Sequence, residues 1–541
     1  LGDSVTVSKV KISEWIADDP VEPSVLTIGD MLIESARKWP DKEALVYSFQ
    51  PEIGDIRMTY KELNDRTSNI AKGFLEAGYI SGDAIAIWGP NHPEWILAEY
   101  GLAKAGLKLI TLNPLYKKLE LEYALSSSKA VAIIHADQIG GNVVRTQIES
   151  VKEKVQSLRG IYSFSLGLLE LEESGKRSSQ QLPTVNSKDI FMIQYTSGTT
   201  GNPKAAQMPH SALVTTAKNS HKRWQIGEGH KVCHGFPLFH IGGSACMTLG
   251  AAVSGAVSLP LYIFKASATL DIIEKEGCSV FIGVPTMLVA MMEDPSIKER
   301  DFSKFKFIIV GGANPPIELL KKCEKVFGVD MINGYGQTET CGVTATALPE
   351  DPPELKAIAG RAMPGVSLRI LDKDKVIVPL EEKGELHYRG PGLMIGYGNL
   401  PEGESGVDSE GWFATGDLAT MNKGGYINIV GRAKEMIIRG GENLYPAEIE
   451  NYLLEHAGVL EVAVFGLKDE KYGEEVCACI RRDDSLLKNE DELQIWCKER
   501  ISRWKIPKYI FFIDIFPVTP SGKIQKYKLQ DKYTKELNFS R

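Results

Sequence analysis

Between Tyr195 and Ala206 the chain reads YTSGTTGNPKAA. Four small hydroxyls (Thr196, Ser197, Thr199, Thr200), two glycines (Gly198, Gly201) and Lys204 fall within twelve residues. Glycines let backbone approach a ligand closely, hydroxyls and free N–H groups donate hydrogen bonds, and the lysine adds positive charge. That set suits phosphate. It is not a Walker A loop, which requires G-x-x-x-x-G-K-[ST]. Here the glycines stand three apart and Lys204 lies three beyond the second. Taken alone, the stretch reads either as a phosphate loop of another kind or as a Gly/Thr-rich turn.

Five further stretches pair glycine with polar or aromatic side chains. GGAN (311–314) closes an apolar run and lets a flat ring approach the backbone through Gly311, Gly312 and Ala313. NGYGQTET (333–340) places Tyr335, Thr338 and Glu339 in one turn. GWFATGDL (411–418) fixes Asp417 behind a glycine. GRAKEMIIRGGENLYPAEIE (431–450) is long, basic and glycine-rich. PSGKIQK (520–526) presents Lys523 in a turn. Each has a plain reading: a turn aspartate, a solvated glutamate, one exposed lysine among many.

The elements that must position these residues follow from the apolar pattern. The runs ALVYSF, AIAIWG, LKLITLN, AVAIIHA, FMIQYTSG, VFIGVP and FKFIIVGGA read as buried strands. Helical patterns lie between several of them. One starts at Thr59 with Glu62 three residues on, a capping box, and carries Leu63, Ile70, Ala71, Phe74 and Leu75 on one face. Strands alternating with helices predict parallel sheets covered by helices, with phosphate ligands in turns past strand ends. The Ser/Glu/Gln-rich segment 163–188 reads as surface loop. After GGYINIVGR the pattern shifts to smaller α+β units, so a domain boundary is expected near Arg432–Lys434, giving an N-terminal domain over 1–432 and a C-terminal one over 433–541.

Whole-chain properties narrow the function class. A chain of 541 residues exceeds what one hydrophobic core usually serves. With 43% apolar and 24% charged residues, the composition is that of a globular enzyme. A net charge of −8 and a pI near 5.8 argue against a nucleic-acid partner, though not against one nucleotide. The eight cysteines form no C-x-x-C pair and do not cluster with histidine, so reduced buried thiols are expected rather than zinc. The N-terminus carries no basic-then-apolar signal pattern, and the C-terminal Phe539-Ser540-Arg541 is no peroxisomal address. The stretch 232–264 lacks Lys, Arg, Asp and Glu, but its histidines, glycines and prolines read as buried core rather than as a membrane span.

The order and distances of YTSGTTGNPK, NGYGQTET, GWFATGDL, GRAKE and PSGK resemble the adenylate-forming superfamily of acyl-CoA synthetases, peptide-synthetase adenylation domains and luciferases. The resemblance covers essentially the whole chain. It implies an α/β fold: a large N-terminal domain of parallel-sheet layers with helices plus a distorted β-barrel, and a small mobile α+β C-terminal domain. It implies that Thr196, Ser197, Gly198, Thr199, Thr200, Gly201 and Lys204 cradle the β- and γ-phosphates of ATP. Gly311, Gly312 and Ala313 would lie along adenine with Tyr335 on its other face, and Asn333, Gly334, Gly336 and Ile429 would complete the pocket. Thr338 would touch the α-phosphate, and Thr196 and Glu339 would hold Mg²⁺. Asp417, helped by Arg432, would accept the ribose hydroxyls. Lys523 would bridge the acid and the α-phosphate, with His240 in the catalytic set. Lys434 would be the hinge that withdraws Lys523 and brings Gly440 and Gly441 to the pantetheine arm of coenzyme A. Relatives usually read PKG where this chain has Ala205 and Ala206, which puts the phosphate loop's mobility in question.

For the acid, NPLYKKLELEYALSSSKA, PLFHIGG and RGPGLMIGY resemble long- or medium-chain fatty acyl-CoA ligases. The uncharged stretch after His240 would then line an acyl pocket, with Gly242, Gly243, Ala245, Gly250 and Gly255 either leaving room or packing tightly. No aspartate in FPLFHIGGSACM awaits an α-amine, and no carrier module follows Arg541, so free coenzyme A is the expected acceptor. An aryl-CoA ligase of the 4-coumarate or benzoate type, luciferase-like oxidation of an acyl-adenylate, and a nucleotide-binding paralogue without catalysis stay open at this point. Expected too are a cytoplasmic setting, a monomer or homodimer, and at most peripheral contact with a membrane.

Overall fold

The computed structural model describes residues 10–541 except 19–20, 197–202, 313, 401–405, 434, 440–441, 470–471, 499, 520–521 and 540–541. Three large sheets organise the chain. In the seven-stranded one, Lys108–Leu112, Ala84–Trp88, Ala132–His135 and Gly160–Ser163 run parallel beside Ile190–Thr196. Ile190–Thr196 then turns back antiparallel into Lys204–Pro209.

The fourteen-stranded sheet changes character along its width. Glu43–Tyr47, Val257–Pro260, Lys231–His234, Val280–Gly283, Phe307–Gly311 and Asp330–Gln337 are parallel neighbours in that order. From Asp330–Gln337 onward the strands are antiparallel: Gly342–Thr346, Gly360–Ala362, Tyr426–Arg432, Phe413–Met421, Gly384–Arg389 and Ser367–Leu371. The strands for which a barrel was expected are thus hydrogen-bonded into one sheet with the parallel ones. The five-stranded sheet begins at Ile437, five residues after Arg432 leaves the large sheet, and has its own apolar core around Ile449, Val464, Ala478 and Leu493.

Local sequence explains the element starts. Thr59 accepts from the Glu62 amide while Glu62 reaches back, the reciprocal cap that opens Tyr60–Glu76. Thr27 and Asp30 do the same for Ile28–Lys38. The segment 163–188, expected as loop, instead contains the helix Gly167–Arg177. Leu168 and Leu171 are buried, as is Glu172, which pairs with Arg66 at 2.9 Å. The helix crosses Tyr60–Glu76 at two glycines: a Cβ on Gly73 would stand 2.0 Å from Leu171 O, and one on Gly175 1.8 Å from Asn69 O. The two glycines are the contact surface of two close helices.

The uncharged stretch 232–264 is interior, as expected. It holds two strands and, between them, the π-helix Gly242–Leu249 followed by Gly250–Ser254. No helix among the described residues is long and apolar enough to cross a membrane. All eight cysteines are free and buried.

Candidate active site

The strands Phe307–Gly311 and Asp330–Gln337 pair in parallel with Gly311 opposite Gly334, and Ile190–Thr196 ends nearby in the second sheet. Polar groups converge past these ends, the usual place for a ligand in an open α/β sheet.

Asp417 is 3% exposed and takes three donors. Tyr335 Oη donates to Oδ2 at 2.6 Å, Gln337 Nε2 to the same oxygen at 2.5 Å, and Arg432 Nε lies 3.0 Å from Oδ1. The pairing is built by register, because Asp417 stands opposite Arg432 across the antiparallel pair Phe413–Met421 and Tyr426–Arg432. Burial, then the Asp417 charge, holds the Tyr335 phenol well above its ordinary range. Burial opposes the Arg432 cation, but Asp417 and Glu435 outweigh it and raise its pKa.

Glu339 forms a second cluster. Its Oε1 accepts from Tyr397 Oη at 2.8 Å and Thr196 Oγ1 at 3.2 Å. Lys204 Nζ sits 4.7 Å from the centroid of the same Tyr397 ring. Thr196 and Lys204 are paired residues that close the hairpin over 197–203, so the expected phosphate loop springs from beside Glu339. Ser197, Gly198, Thr199, Thr200 and Gly201 lie outside the described residues, as do Ala313, Lys434, Gly440 and Gly441. Ala205 and Ala206 are not loop residues. Both are buried strand residues opposite Tyr195 and Gln194, so their methyl groups fill core.

Gln194 ties the two sheets together, 1% exposed. Its Nε2 donates to Phe239 O at 2.7 Å and Thr111 Oγ1 at 3.3 Å. Its Oε1 accepts from Thr338 Oγ1 and from the Ile241 amide, both at 3.0 Å. One amide therefore fixes Thr338 and the turn that carries His240. The sequence reading missed Gln194, Gln337 and Tyr397. For Gln194 a signal existed, a lone amide inside an apolar strand, which a buried position tolerates only with partners.

Lys523 belongs to the smaller body yet reaches this cleft. Its turn is self-bonded, Thr519 N to Lys523 O at 2.7 Å and Lys523 N to Thr519 Oγ1 at 3.0 Å. A Cβ on Gly312 would lie 3.2 Å from Lys523 Cε, and Gly312 has φ +84°, a conformation that favours glycine. Lys523 is exposed at the surface. Partial desolvation, and then the Arg432 charge, pull its pKa below the usual lysine range, with Asp417 and Glu435 opposing. His240 is pushed down to about 4 by burial and then by Lys523, so it is neutral at physiological pH.

Gly336 is locked by backbone, since a Cβ would meet Gly342 O at 1.9 Å. Ile429 contributes its carbonyl to Asn314 Nδ2 at 2.8 Å, and Asn314 Oδ1 accepts from Asn333 Nδ2 at 2.8 Å. Asn333 Oδ1 is buried with no donor facing it. Of the small residues after His240, Gly243, Gly250 and Gly255 are packing positions: a Cβ would stand 2.3 Å from Pro237 O, 2.2 Å from His221 Nε2 and 2.7 Å from the Trp39 ring. Ala245 is core. Only Gly242 faces a side chain at near-contact distance, the Phe236 ring at 3.3 Å. Among the described residues no group of three metal-ligating side chains assembles. Glu339 with Thr196 could hold a divalent cation only alongside ligand oxygens.

The AMP-binding enzyme family profile matches residues 32–398, and that of the AMP-binding enzyme C-terminal domain matches 448–523. The mitochondrial medium-chain acyl-CoA ligase ACSF2 of Homo sapiens is 35% identical, over 95% of this chain and 88% of its own. Among solved structures, a Mycobacterium tuberculosis fatty acyl CoA synthetase is 30% identical with a TM-score of 0.75, over 94% of this chain and 99% of that one. ATP-bound MatB from Rhodopseudomonas palustris is 26% identical with a TM-score of 0.84 over the same shares.

Proposed function

The chain belongs to the AMP-binding enzyme family and is an AMP-forming acid–CoA ligase, and we propose that its acid is a fatty acid of medium length, activated at Lys523. The observation that carries the residue assignment is Lys523 standing over Gly312, beside Arg432 and Asp417 and across from the Glu339–Thr196–Lys204 cluster. Three cations thus surround a cleft whose carboxylates are already hydrogen-bonded.

In the first half-reaction a carboxylate oxygen attacks the α-phosphorus of ATP, and the bond from that phosphorus to the bridging oxygen breaks, releasing pyrophosphate. Both partners are anions. Lys523 holds the attacking carboxylate against the α-phosphate, and Lys204 faces the departing phosphates. Mg²⁺, held by Glu339 and Thr196 together with phosphate oxygens, would supply further charge neutralisation there. Asp417 and Arg432 hold the ribose, Tyr335 and the Gly311–Gly312 backbone flank the base, and the unpartnered Asn333 Oδ1 fits a purine amine. Thr338, its hydroxyl proton held by Gln194, touches the α-phosphate. In the second half-reaction the coenzyme A sulfur attacks the acyl carbon, the thiol proton leaves, and the C–O bond to AMP breaks. The switch at Arg432–Ile437 from the large sheet to the small one supports a two-domain cycle hinged near Lys434. Free buried thiols support a reducing compartment, which we take to be the cytoplasm.

The apolar surroundings of Phe236 and the substrate named for the ACSF2 relatives support the fatty-acid reading over an aryl one. The test is to incubate the protein with ATP and Mg²⁺ and acetate, octanoate, palmitate, benzoate or coumarate, following AMP and thioester with and without coenzyme A. Thioester chiefly from octanoate is expected. Thioester from the aromatic acids alone would overturn the substrate and leave the reaction class standing.

A further inference from the structure

The Phe236 ring lies between Gly242 and Gly311, next to the Gly312 over which Lys523 stands. The base of its ring is 3.3 Å from where a Cβ on Gly242 would be, and its tip is 3.1 Å from the same position on Gly311. Gly311 adjoins Gly312, over which Lys523 stands. Gly242 follows His240 by two residues and opens the π-helix, a helix type that collects at functional sites. The ring therefore spans the gap between the two backbone walls that flank the carboxylate-holding lysine.

Its position is fixed. Asn91 Nδ2 donates to Phe236 O at 3.0 Å and to Leu261 O at 2.9 Å, while Asn91 Oδ1 accepts from Leu238 N at 2.7 Å. The ring is half-buried and packs against two separate apolar clusters, one holding Val284 and Met287, the other Trp224 and Ile309. Beyond it the interior is hydrocarbon on both sides, an environment that would accept more methylenes if the ring were absent.

We propose that the Phe236 ring, on a backbone held by Asn91 and seated between Gly242 and Gly311, is a side wall that narrows the acid pocket and limits the chain length it takes. One Cα–Cα step of about 3.8 Å separates Gly312 from Gly311, so an alkyl chain meets the ring within a few carbons of its carboxylate and must run beside it. This rests on the reading that Lys523 holds the carboxylate. Truncating the ring opens the space behind it toward Met287, and adding a methyl at Gly242 narrows what remains.

The experiment measures kcat/KM for adenylation, as pyrophosphate release, over straight-chain acids from four to eighteen carbons. It compares wild type with Phe236→Ala, Phe236→Leu and Gly242→Ala. Each accommodated methylene is worth about fourfold, so Phe236→Ala is expected to move the optimum longer by roughly two to four carbons, chiefly through KM for the acid. Phe236→Leu should move it less in the same direction, and Gly242→Ala should move it shorter. ATP affinity, measured separately by calorimetry, should stay within about twofold in all three and reports folding. If Phe236→Ala does not fold, Phe236→Leu and Gly242→Ala decide by their opposite signs. An unchanged length profile, or a uniform fall for every acid, overturns the proposal. If wild type uses only aromatic acids, the fatty-acid reading falls by itself. The same comparison is then run on para-alkyl benzoates, where the proposal again requires a longer optimum in Phe236→Ala.

Discussion

Asp417 and Lys523 face one cleft but are held in opposite ways. Asp417 is locked by three donors, all from strands of one sheet, and is almost without solvent contact. Lys523 sits on a turn that bonds mainly to itself, on a body with its own sheet and core, and meets the larger body through the side-chain-free faces of Gly312 and Gly522. On the proposed reaction, the group that stays with the nucleotide through both half-reactions is the one built into the sheet, and the group needed in only one is the one carried on the smaller body. The contrast makes the two residues separable by experiment.

The largest effect is expected from Lys523→Ala, which removes one preorganised cation from an anion–anion reaction and should lower adenylate formation by about 10² to 10³, read as pyrophosphate release. Next, Asp417→Ala leaves the Arg432 cation and the Tyr335 hydroxyl without their acceptor. Losing a charge-assisted hydrogen bond costs about 1.5–3 kcal/mol, so nucleotide affinity should weaken roughly tenfold to a hundredfold. Calorimetry with AMP checks it, and equal weakening in both half-reactions distinguishes Asp417 from Lys523. Third, Gln194→Ala frees Thr338 and the His240 turn while leaving the Ile241 amide and Phe239 carbonyl unpaired. A loss of about 1–3 kcal/mol in stability is expected, together with a fall in kcat that denaturant titration and steady-state kinetics would separate.

The pH dependence sharpens the same contrast. Lys523 acts as the protonated ammonium, and partial desolvation lowers its pKa, so adenylation should fall as pH rises through a value below the ordinary lysine figure of about 10.4. Lys523→Arg should move that alkaline limb upward, whatever its effect on the maximum. His240, pushed down to about 4, should contribute no limb near neutrality. The smallest effect is at the contact between the two bodies. Lys383 Nζ lies 3.1 Å from Glu448 Oε2 and 4.2 Å from the centroid of the Tyr445 ring. Such partly exposed pairs are worth about 0.2–1 kcal/mol. Lys383→Ala should therefore slow adenylation by no more than about fivefold and leave thermal stability within a degree or two of wild type.

Much of this was legible locally. Continuous apolar runs marked the buried strands, and Thr59 with Glu62 marked a helix start, because each pattern lies within a few residues. The motif order pointed to the family, and only that resemblance brought Tyr335, Asp417 and Lys523 to one site. What escaped depends on distant partners. Gln194 bonds to residues from Thr111 to Thr338, and Tyr397 reaches Glu339 across two strands, so no spacing reveals either. The helix Gly167–Arg177 was hidden because a Ser/Glu/Gln-rich segment looks like surface loop until the helix its Gly175 packs against is known. Nor could sequence separate Gly243, Gly250 and Gly255, where a Cβ would clash at 2.2–2.7 Å, from Gly242, where it would stand 3.3 Å from the Phe236 ring.

The most direct test gives Lys523→Ala a supplied octanoyl-adenylate and coenzyme A and follows the thioester by rapid quench. A rate within a few-fold of wild type, set against the large loss in pyrophosphate release, is the predicted result. An equal loss in both half-reactions would contradict the claim that Lys523 is delivered for activation alone.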